Sequence, residues 1–520
     1  MSANNDTDKK SVAARLVAMA EGRYLLGVSE DGEPFGADRA RPHLAILLRA
    51  GKAGLRAELA SRYFAETGTV AGGQALTDAT LVLEGLAATR TPERLHLRVA
   101  EHRGTSYVDT GRTDGTIICI RAGTWSVTDA APVRFLRTKL TAAMPLPPPT
   151  GDVNALWDFI NITVEDRPVL LAALIAALIQ PDVPHPVLAL FAEQGSAKST
   201  TTRMLVDLID PSPVALRQPP RDADSWVTAA SGSWVVALDN LSAIPPWLSD
   251  SLCRAATGDG NVKRALYTDA DLAVVKFRRC VIINGIDVGA VRPDLAERMA
   301  MIDLRRIERH MRQPEATMRQ LWRTALPGIL AGLLNLAATV HHRLETTVVD
   351  DAPRMADFGR VLACVDGVLS SDGLRRYASR SDQLSEDSLS GNPFIEQLRH
   401  HIREPLRSLS GADLHTAVTP ADDHWRRPKE WPRNGREVTS MLRRHAPALR
   451  KLGWVIEDDG ARNHRNVLLW TIYPPPKDVV AHRASQPSRP SLPRPGPSAP
   501  SDPEQPAPSH TDEHRDDLSA

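Results

Sequence analysis

Val187-Leu188-Ala189-Leu190-Phe191-Ala192-Glu193-Gln194-Gly195-Ser196-Ala197-Lys198-Ser199-Thr200 reads as a buried strand, a tight loop, and a lysine with two hydroxyl residues opening a helix over 201–208. A strand, loop and helix in that order aim backbone N–H groups and a helix N-terminus at one point. Their partial positive charge suits phosphate oxygens. Lys198 is placed to reach β- and γ-phosphates, and the Ser199 hydroxyl to ligate Mg²⁺. Against the pattern G-x-x-x-x-G-K-[ST], both signature glycines are alanines, Ala192 and Ala197. Gly195 remains at the bend, and alanine supplies the same backbone amides. Glu193, Gln194, Gly195, Ser196, Ala197, Lys198, Ser199 and Thr200 are therefore the candidate nucleotide-binding residues. Taken alone, the segment also suits a strand-turn-helix with a serine-rich cap and no ligand.

The chain of 520 residues is long enough for two to four domains with sizeable cores. Its 63 Lys and Arg equal its 63 Asp and Glu, so any basic surface must be local. The four cysteines, Cys119, Cys253, Cys280 and Cys364, make no metal-ligand spacing and no disulfide framework. Residues 1–10 are polar and lack the apolar core of a signal peptide. The longest apolar run, Val169 to Ile179, is too short to span a bilayer and reads as a buried helix. A cytoplasmic protein without a membrane partner is expected.

Outside the loop, residues 11–145 mix helix and strand signals and read as an N-terminal α+β region. Asp31-Gly32 is a hairpin turn pair, a helix is expected from about Ala45 to Thr67, and short antiparallel strands follow from Leu95. Pro145-Leu146-Pro147-Pro148-Pro149 marks a linker. Strand and helix signals then alternate over 150–345, as in an α/β domain. Residues 346–392 read as a helical extension ending in a polar linker, Ser379 to Asn392, and 393–475 as a further compact unit. Residues 476–520, like 1–10, are too poor in apolar residues to offset their ordering entropy, and disorder is expected there.

A nucleotide site needs a carboxylate for Mg²⁺, a polar group beside the γ-phosphate and often an arginine for transition-state charge. The strand Trp234-Val235-Val236-Ala237-Leu238-Asp239-Asn240 ends in an acid, which places Asp239 on the metal. A strand that merely ends in an Asp-Asn turn is the competing account. Cys280-Val281-Ile282-Ile283-Asn284 is another buried strand, and Asn284 suits a group that polarises the attacking water. Arg298 is read on a helix before the strand Met301-Ile302-Asp303-Leu304, as an arginine acting across a subunit boundary. The alternative for Arg298 is a surface pair with Asp294 at i,i+4 spacing.

Taken in order, Ala192–Ser199, Leu238-Asp239-Asn240, Thr257-Gly258-Asp259-Gly260, Asn284 and Arg298 resemble the superfamily 3 helicases, a AAA+ branch found in phage and plasmid primase–helicases. The resemblance lies in the ATPase core and implies an α/β P-loop (AAA+-like) fold, ATP and Mg²⁺ as substrate and cofactor, and a hexameric ring on DNA. It also implies a hairpin before the Asn284 strand that grips DNA in the pore, here with Lys263 and Arg264. Two departures stand out. Asn240 replaces the second acid usual after the metal-binding aspartate and cannot accept a proton, which leaves water activation to Glu193 or another acid. The expected hairpin turn, Thr268-Asp269-Ala270-Asp271, is acidic where a cation would suit DNA.

The C-terminal unit carries its own signal. Between Trp425 and Leu452 there are nine Lys and Arg against Glu430 and Glu437, a net charge of +7. An amphipathic helix is expected over 436–444 with Val438, Met441 and Leu442 inward, and a second begins at Ala446. Strands at Trp454-Val455-Ile456 and Val467-Leu468-Leu469-Trp470 enclose a basic tip with Arg462, His464 and Arg465. Helix, helix and hairpin make a winged-helix-like plan, in which Arg436, Arg443 and Arg444 would contact DNA. A solvated basic helix docked on the core is the other account. The sequence as a whole points to an ATP-dependent DNA helicase or helicase-like ATPase in replication of a phage, plasmid or integrative element. The alternative is an ATP-binding, DNA-bound initiator or regulator with little hydrolysis. No primase site is visible, so priming falls to a partner.

Overall fold

The computed structural model describes residues 11–49, 54–258, 260–264, 272–276, 278–286, 291–422, 424–462 and 467–476. Its centre is a four-stranded parallel sheet ordered Val235–Leu241, Cys280–Gly285, Val187–Phe191, Met299–Asp303. Along these strands consecutive residues alternate between two cores. Leu188, Leu190, Val235, Ala237, Ile282 and Ile302 face one cluster, while Val187, Ala189, Val236, Leu238, Val281 and Ile283 face the other. Burial on both faces explains why these strands read as continuous apolar runs. Helices Arg167–Ile179, Lys198–Ile209, Glu315–Arg343 and Ala356–Leu369 cover the first face. Ala223–Ser231 and Pro246–Thr257 cover the second. The content is mixed α/β.

Glu315–Arg343 is long and apolar enough to cross a membrane by length and composition alone, but 56% of its apolar window is buried inside the fold. Its close approach to the chain at Val153 needs Gly332, since a Cβ there would lie 2.2 Å from the Val153 nitrogen.

The N-terminal region holds a six-stranded mixed sheet and a four-stranded antiparallel sheet built from Val99–His102, Thr105–Asp109, Ile117–Arg121 and Thr124–Thr128. The helix expected from Ala45 begins only at Leu55 and runs to Thr67. Leu44–Leu47 is instead a strand paired with Pro34–Asp38, which buries Ala45 between neighbours. This region is bolted to the core by a buried ion pair. Arg98 Nε donates to Asp210 Oδ1 at 2.7 Å, and Asp210 also accepts the Trp234 and Val235 amides. Both side chains are almost wholly buried, Arg98 at 0% and Asp210 at 5% exposure.

The polar stretch Ser379–Asn392, expected as a linker, is mostly helix: Gly373–Ser390 runs through it. Its few apolar residues decide the matter, because Leu384 packs on the second core cluster and Leu389 is fully buried. Arg376 and Arg380 on the same helix pair with Asp303, and Arg376 with buried Asp166.

Beyond it come helix Pro393–His401, strand Leu406–Ser410, helix Gly411–Val418, helix Gly435–Lys451 and strands Val455–Arg462 and Leu468–Tyr473. The three strands form one antiparallel sheet with Leu468–Tyr473 in the middle. Two helices expected around Ala446 are one. It continues through Pro447, which forfeits a single backbone hydrogen bond, because Val438, Leu442, His445, Ala446, Ala448 and Leu449 keep one buried face throughout. Described residues up to Pro474 form one compact unit.

Candidate functional site

Parallel strands bring their C-terminal ends to one edge, and the loop 192–197 emerges there from Val187–Phe191. Gly195 (φ 83°) and Ala197 (φ 59°) both adopt left-handed backbone, which is routine for glycine and costs alanine roughly 1 kcal/mol or more. No side chain caps the helix Lys198–Ile209. Its first amides therefore remain available as donors at the loop.

The polar ends of the neighbouring strands meet this helix. Ser199 Oγ donates to Asp239 Oδ1 at 2.7 Å. Asn284 Nδ2 donates to the same Asp239 oxygen at 2.8 Å and to Thr202 Oγ1 at 2.9 Å. Asn284, only 1% exposed, also accepts the Asn240 amide at 2.8 Å through Oδ1. Lys198 Nζ donates to the Ala192 and Glu193 carbonyls at 2.7 and 2.8 Å. Partial burial pushes its ammonium below the usual lysine range, and the Asp239 charge works against that shift. Ser196, buried, closes the loop by donating to the Glu193 carbonyl at 2.9 Å.

Lys198, Ser199, Asp239 and Asn284 thus lie together. Asn240 joins them through its backbone, and its side chain is exposed. At φ 59° it occupies a left-handed position, a conformation that asparagine tolerates better than most residues. Glu193 and Gln194 are exposed on the loop, and Thr200 stands in the first turn of its helix.

Arg298 is elsewhere. It lies not on a helix but in the turn between Pro293–Ala296 and Met299–Asp303. Met299 pairs with Val187 and Asp303 with Phe191, so Arg298 is at the opposite end of the sheet from the loop, roughly 16 Å of strand away. Its guanidinium donates to the backbone carbonyl of Asp294 at 2.5 Å, whereas the Asp294 carboxylate faces Arg292 at 3.9 Å. The adjoining Glu297 is held by Arg354 at 2.8 Å and by Lys451, from the C-terminal unit, at 3.6 Å.

Lys263 and Arg264 belong to strand Gly260–Arg264, paired antiparallel with Leu272–Lys276. The turn 268–271 lies outside the described residues, as do His464 and Arg465 of the expected basic tip. Arg436, Arg443 and Arg444 are all exposed on Gly435–Lys451, and Arg443 stacks over Trp470 at 5.6 Å. Sequence reading missed the Arg305–Arg312 segment, whose Arg312 guanidinium lies against Gly195 and whose Ile307 amide donates to the Gly195 carbonyl at 3.3 Å. The signal was there as four arginines in eight residues.

Two family models of one kind of replication protein match this chain. Residues 153–387, which hold the parallel sheet and the lysine-bearing loop, match the family described as the actinomycete integrative conjugative element replication protein. Residues 397–486 match the C-terminal domain of the same replication protein. Both stretches are therefore similar to a replication protein of conjugative elements. Among solved structures, SCCmec type IV Cch, described as an active helicase, is 12% identical, with 86% of this chain and 93% of that one covered at a TM-score of 0.40. The apo NrS-1 C-terminal region is 10% identical, with 89% and 99% covered at a TM-score of 0.35. Both likenesses are loose. No curated protein matches the chain.

Proposed function

We propose that this chain is an ATP-dependent DNA helicase or helicase-like ATPase that acts in replication of an integrative conjugative element. The observation that carries the reading is the hydrogen-bonded set Ser199, Asp239 and Asn284 at the C-terminal edge of a parallel sheet, with Lys198 beside it on the loop. In that sheet the loop-bearing strand lies between the Asn284 strand and Met299–Asp303. Such an arrangement suits an α/β P-loop, AAA+-like core.

The residues fit a nucleotide with Mg²⁺. Ser199 Oγ and Asp239 Oδ1 are two hard oxygens already 2.7 Å apart, and Mg²⁺ favours few protein ligands completed by phosphate and water. When bound, the metal neutralises charge on the β- and γ-phosphate oxygens. On this chain, Lys198 would leave the loop carbonyls for the phosphates. The uncapped amides of Lys198–Ile209 would hold phosphate oxygens, and Asn284 would fix Asp239 while orienting water. Asn240 cannot take a proton, so the exposed Glu193 is the candidate base.

Arg298 would act in a neighbouring subunit's site, because its own lies at the far end of the sheet. That requires a homo-oligomeric ring, of which a hexamer is the form proposed. Lys263 and Arg264 would line its pore. The strand order and paired helices of 393–475 suit a winged-helix-like unit, and Arg436, Arg443 and Arg444 would meet DNA phosphates. Priming would come from a partner. The second reading, an ATP-bound initiator or regulator with little turnover, is favoured by one observation: no carboxylate follows Asp239. Steady-state ATPase with and without single-stranded DNA separates the two readings, with Lys198→Ala expected to abolish nucleotide binding. Wild-type nucleotide affinity in that variant overturns both.

A further inference from the structure

The loop has a second cation besides Lys198. Residues 305–312 carry Arg305, Arg306, Arg309 and Arg312 against a single acid, Glu308. This strap follows Met299–Asp303 and lies on the loop, where the Ile307 amide donates to the Gly195 carbonyl at 3.3 Å. Arg312 comes closest: its Nη2 is 2.8 Å from where a Cβ on residue 195 would stand. The φ of +83° at residue 195 is what favours glycine there, since a Cβ would meet only the far end of the flexible Arg312 side chain.

An exposed arginine ordinarily relaxes toward the nearest carboxylate. Here the acids nearest in sequence are engaged elsewhere, Glu308 with His310 at 3.3 Å and Glu315 with Arg319 at 2.5 Å. Among the described residues Arg312 has no ion pair and no side-chain hydrogen bond. A free guanidinium fork held over the bend of an anion-binding loop matches phosphate geometry. Resting on the ATPase reading above, we propose that Arg312 contacts the terminal phosphate of a nucleoside triphosphate bound in its own subunit. It would then set the preference for triphosphate over diphosphate. It differs from Arg298 in acting within one chain.

Titration of fluorescent ATP and ADP analogues with Mg²⁺ tests this. Arg312→Ala should weaken the triphosphate roughly 10- to 100-fold, the loss of one charge-assisted hydrogen bond, and change the diphosphate by less than about 3-fold. Arg312→Lys should recover part of the triphosphate affinity. A merely structural role, steadying Gly195, would weaken both nucleotides alike. Equal losses, or no loss for either, overturn the proposal. In that event, nucleotide binding by the wild type that Lys198→Ala removes leaves the phosphate-loop reading standing. If the wild type binds neither nucleotide, the two fall together.

Discussion

Replacing Asn284 by leucine removes the centre of the polar cluster while nearly preserving volume. Three hydrogen bonds disappear: to Asp239 at 2.8 Å, to Thr202 at 2.9 Å and from the Asn240 amide at 2.8 Å. At a net value of about 1 kcal/mol each, the loss is about 3 kcal/mol. The Thr202 hydroxyl still donates to the Lys198 carbonyl at 2.9 Å, and Ser199 still holds Asp239, so neither becomes an orphan. The left-handed Asn240 amide does, which pushes the cost upward. For a cooperative core of about 200 residues, 3 kcal/mol lowers the melting temperature by roughly 6–12 °C. Thermal melting followed by intrinsic tryptophan fluorescence reads this out. On the proposed ATPase reading, the same preparation should show ATP hydrolysis reduced about 10²-fold or more, since Asn284 would be a preorganised polar group beside the reacting phosphate. A melting temperature within about 2 °C of wild type would overturn this account, because it would mean that the cluster contributes no stability.

Mixing Arg298→Ala subunits with Lys198→Ala subunits, each inactive alone, should restore part of the ATPase activity if Arg298 serves a neighbouring site; absence of rescue at any ratio counts against that role. Substituting Arg443 and Arg444 together by alanine should reduce the salt dependence of DNA binding by roughly 0.9 in log–log slope for each phosphate no longer neutralised, and an unchanged slope would return the helix to a docking role. Burial pushes His445 down to about 4, with Arg444 and Arg292 opposing its charge and Asp294 favouring it. The unfolded chain therefore binds a proton near pH 6.5 that the folded chain refuses. The associated stability is complete above that pH and is lost as pH falls toward 4, about 3 kcal/mol in all. His445→Leu should flatten that part of an acid-denaturation curve, while His96 and His185, also held near 4 by burial, keep their own shares.

The residues that converge at the loop were legible for a physical reason. Each central strand is buried on both faces, so a polar residue at its end, Asp239 or Asn284, has to find a partner at the sheet edge. Sequence served less well where tertiary packing overrides a local pattern. Ala45-Ile46-Leu47 pairs as a strand although its composition suits a helix. Ser379–Asn392 looks like a linker until Leu384 and Leu389 find their cores. The strand Leu406–Ser410 carries little local signal because only its pairing with Leu468–Tyr473 defines it, and Pro447 suggests a break that the buried face of its helix overrides. Arg312 gives no local sign of its place, because its approach to Gly195 depends on the path of the chain after the last strand.

The Arg98–Asp210 pair has a consequence for how this chain can be divided. The family match begins at residue 153, so it retains the carboxylate and omits its cation. Removing the cation alone, as in Arg98→Ala, would leave a negative charge buried beneath the Trp234 strand, and losing one member of a buried pair costs about 3–5 kcal/mol. The N-terminal sheets are in that sense the counterion of the core, inherited with it. A form cut at residue 153 would return Asp210 to water, and its larger loss would be the apolar cover that Val99, Val108, Ile118 and Ile120 give the core.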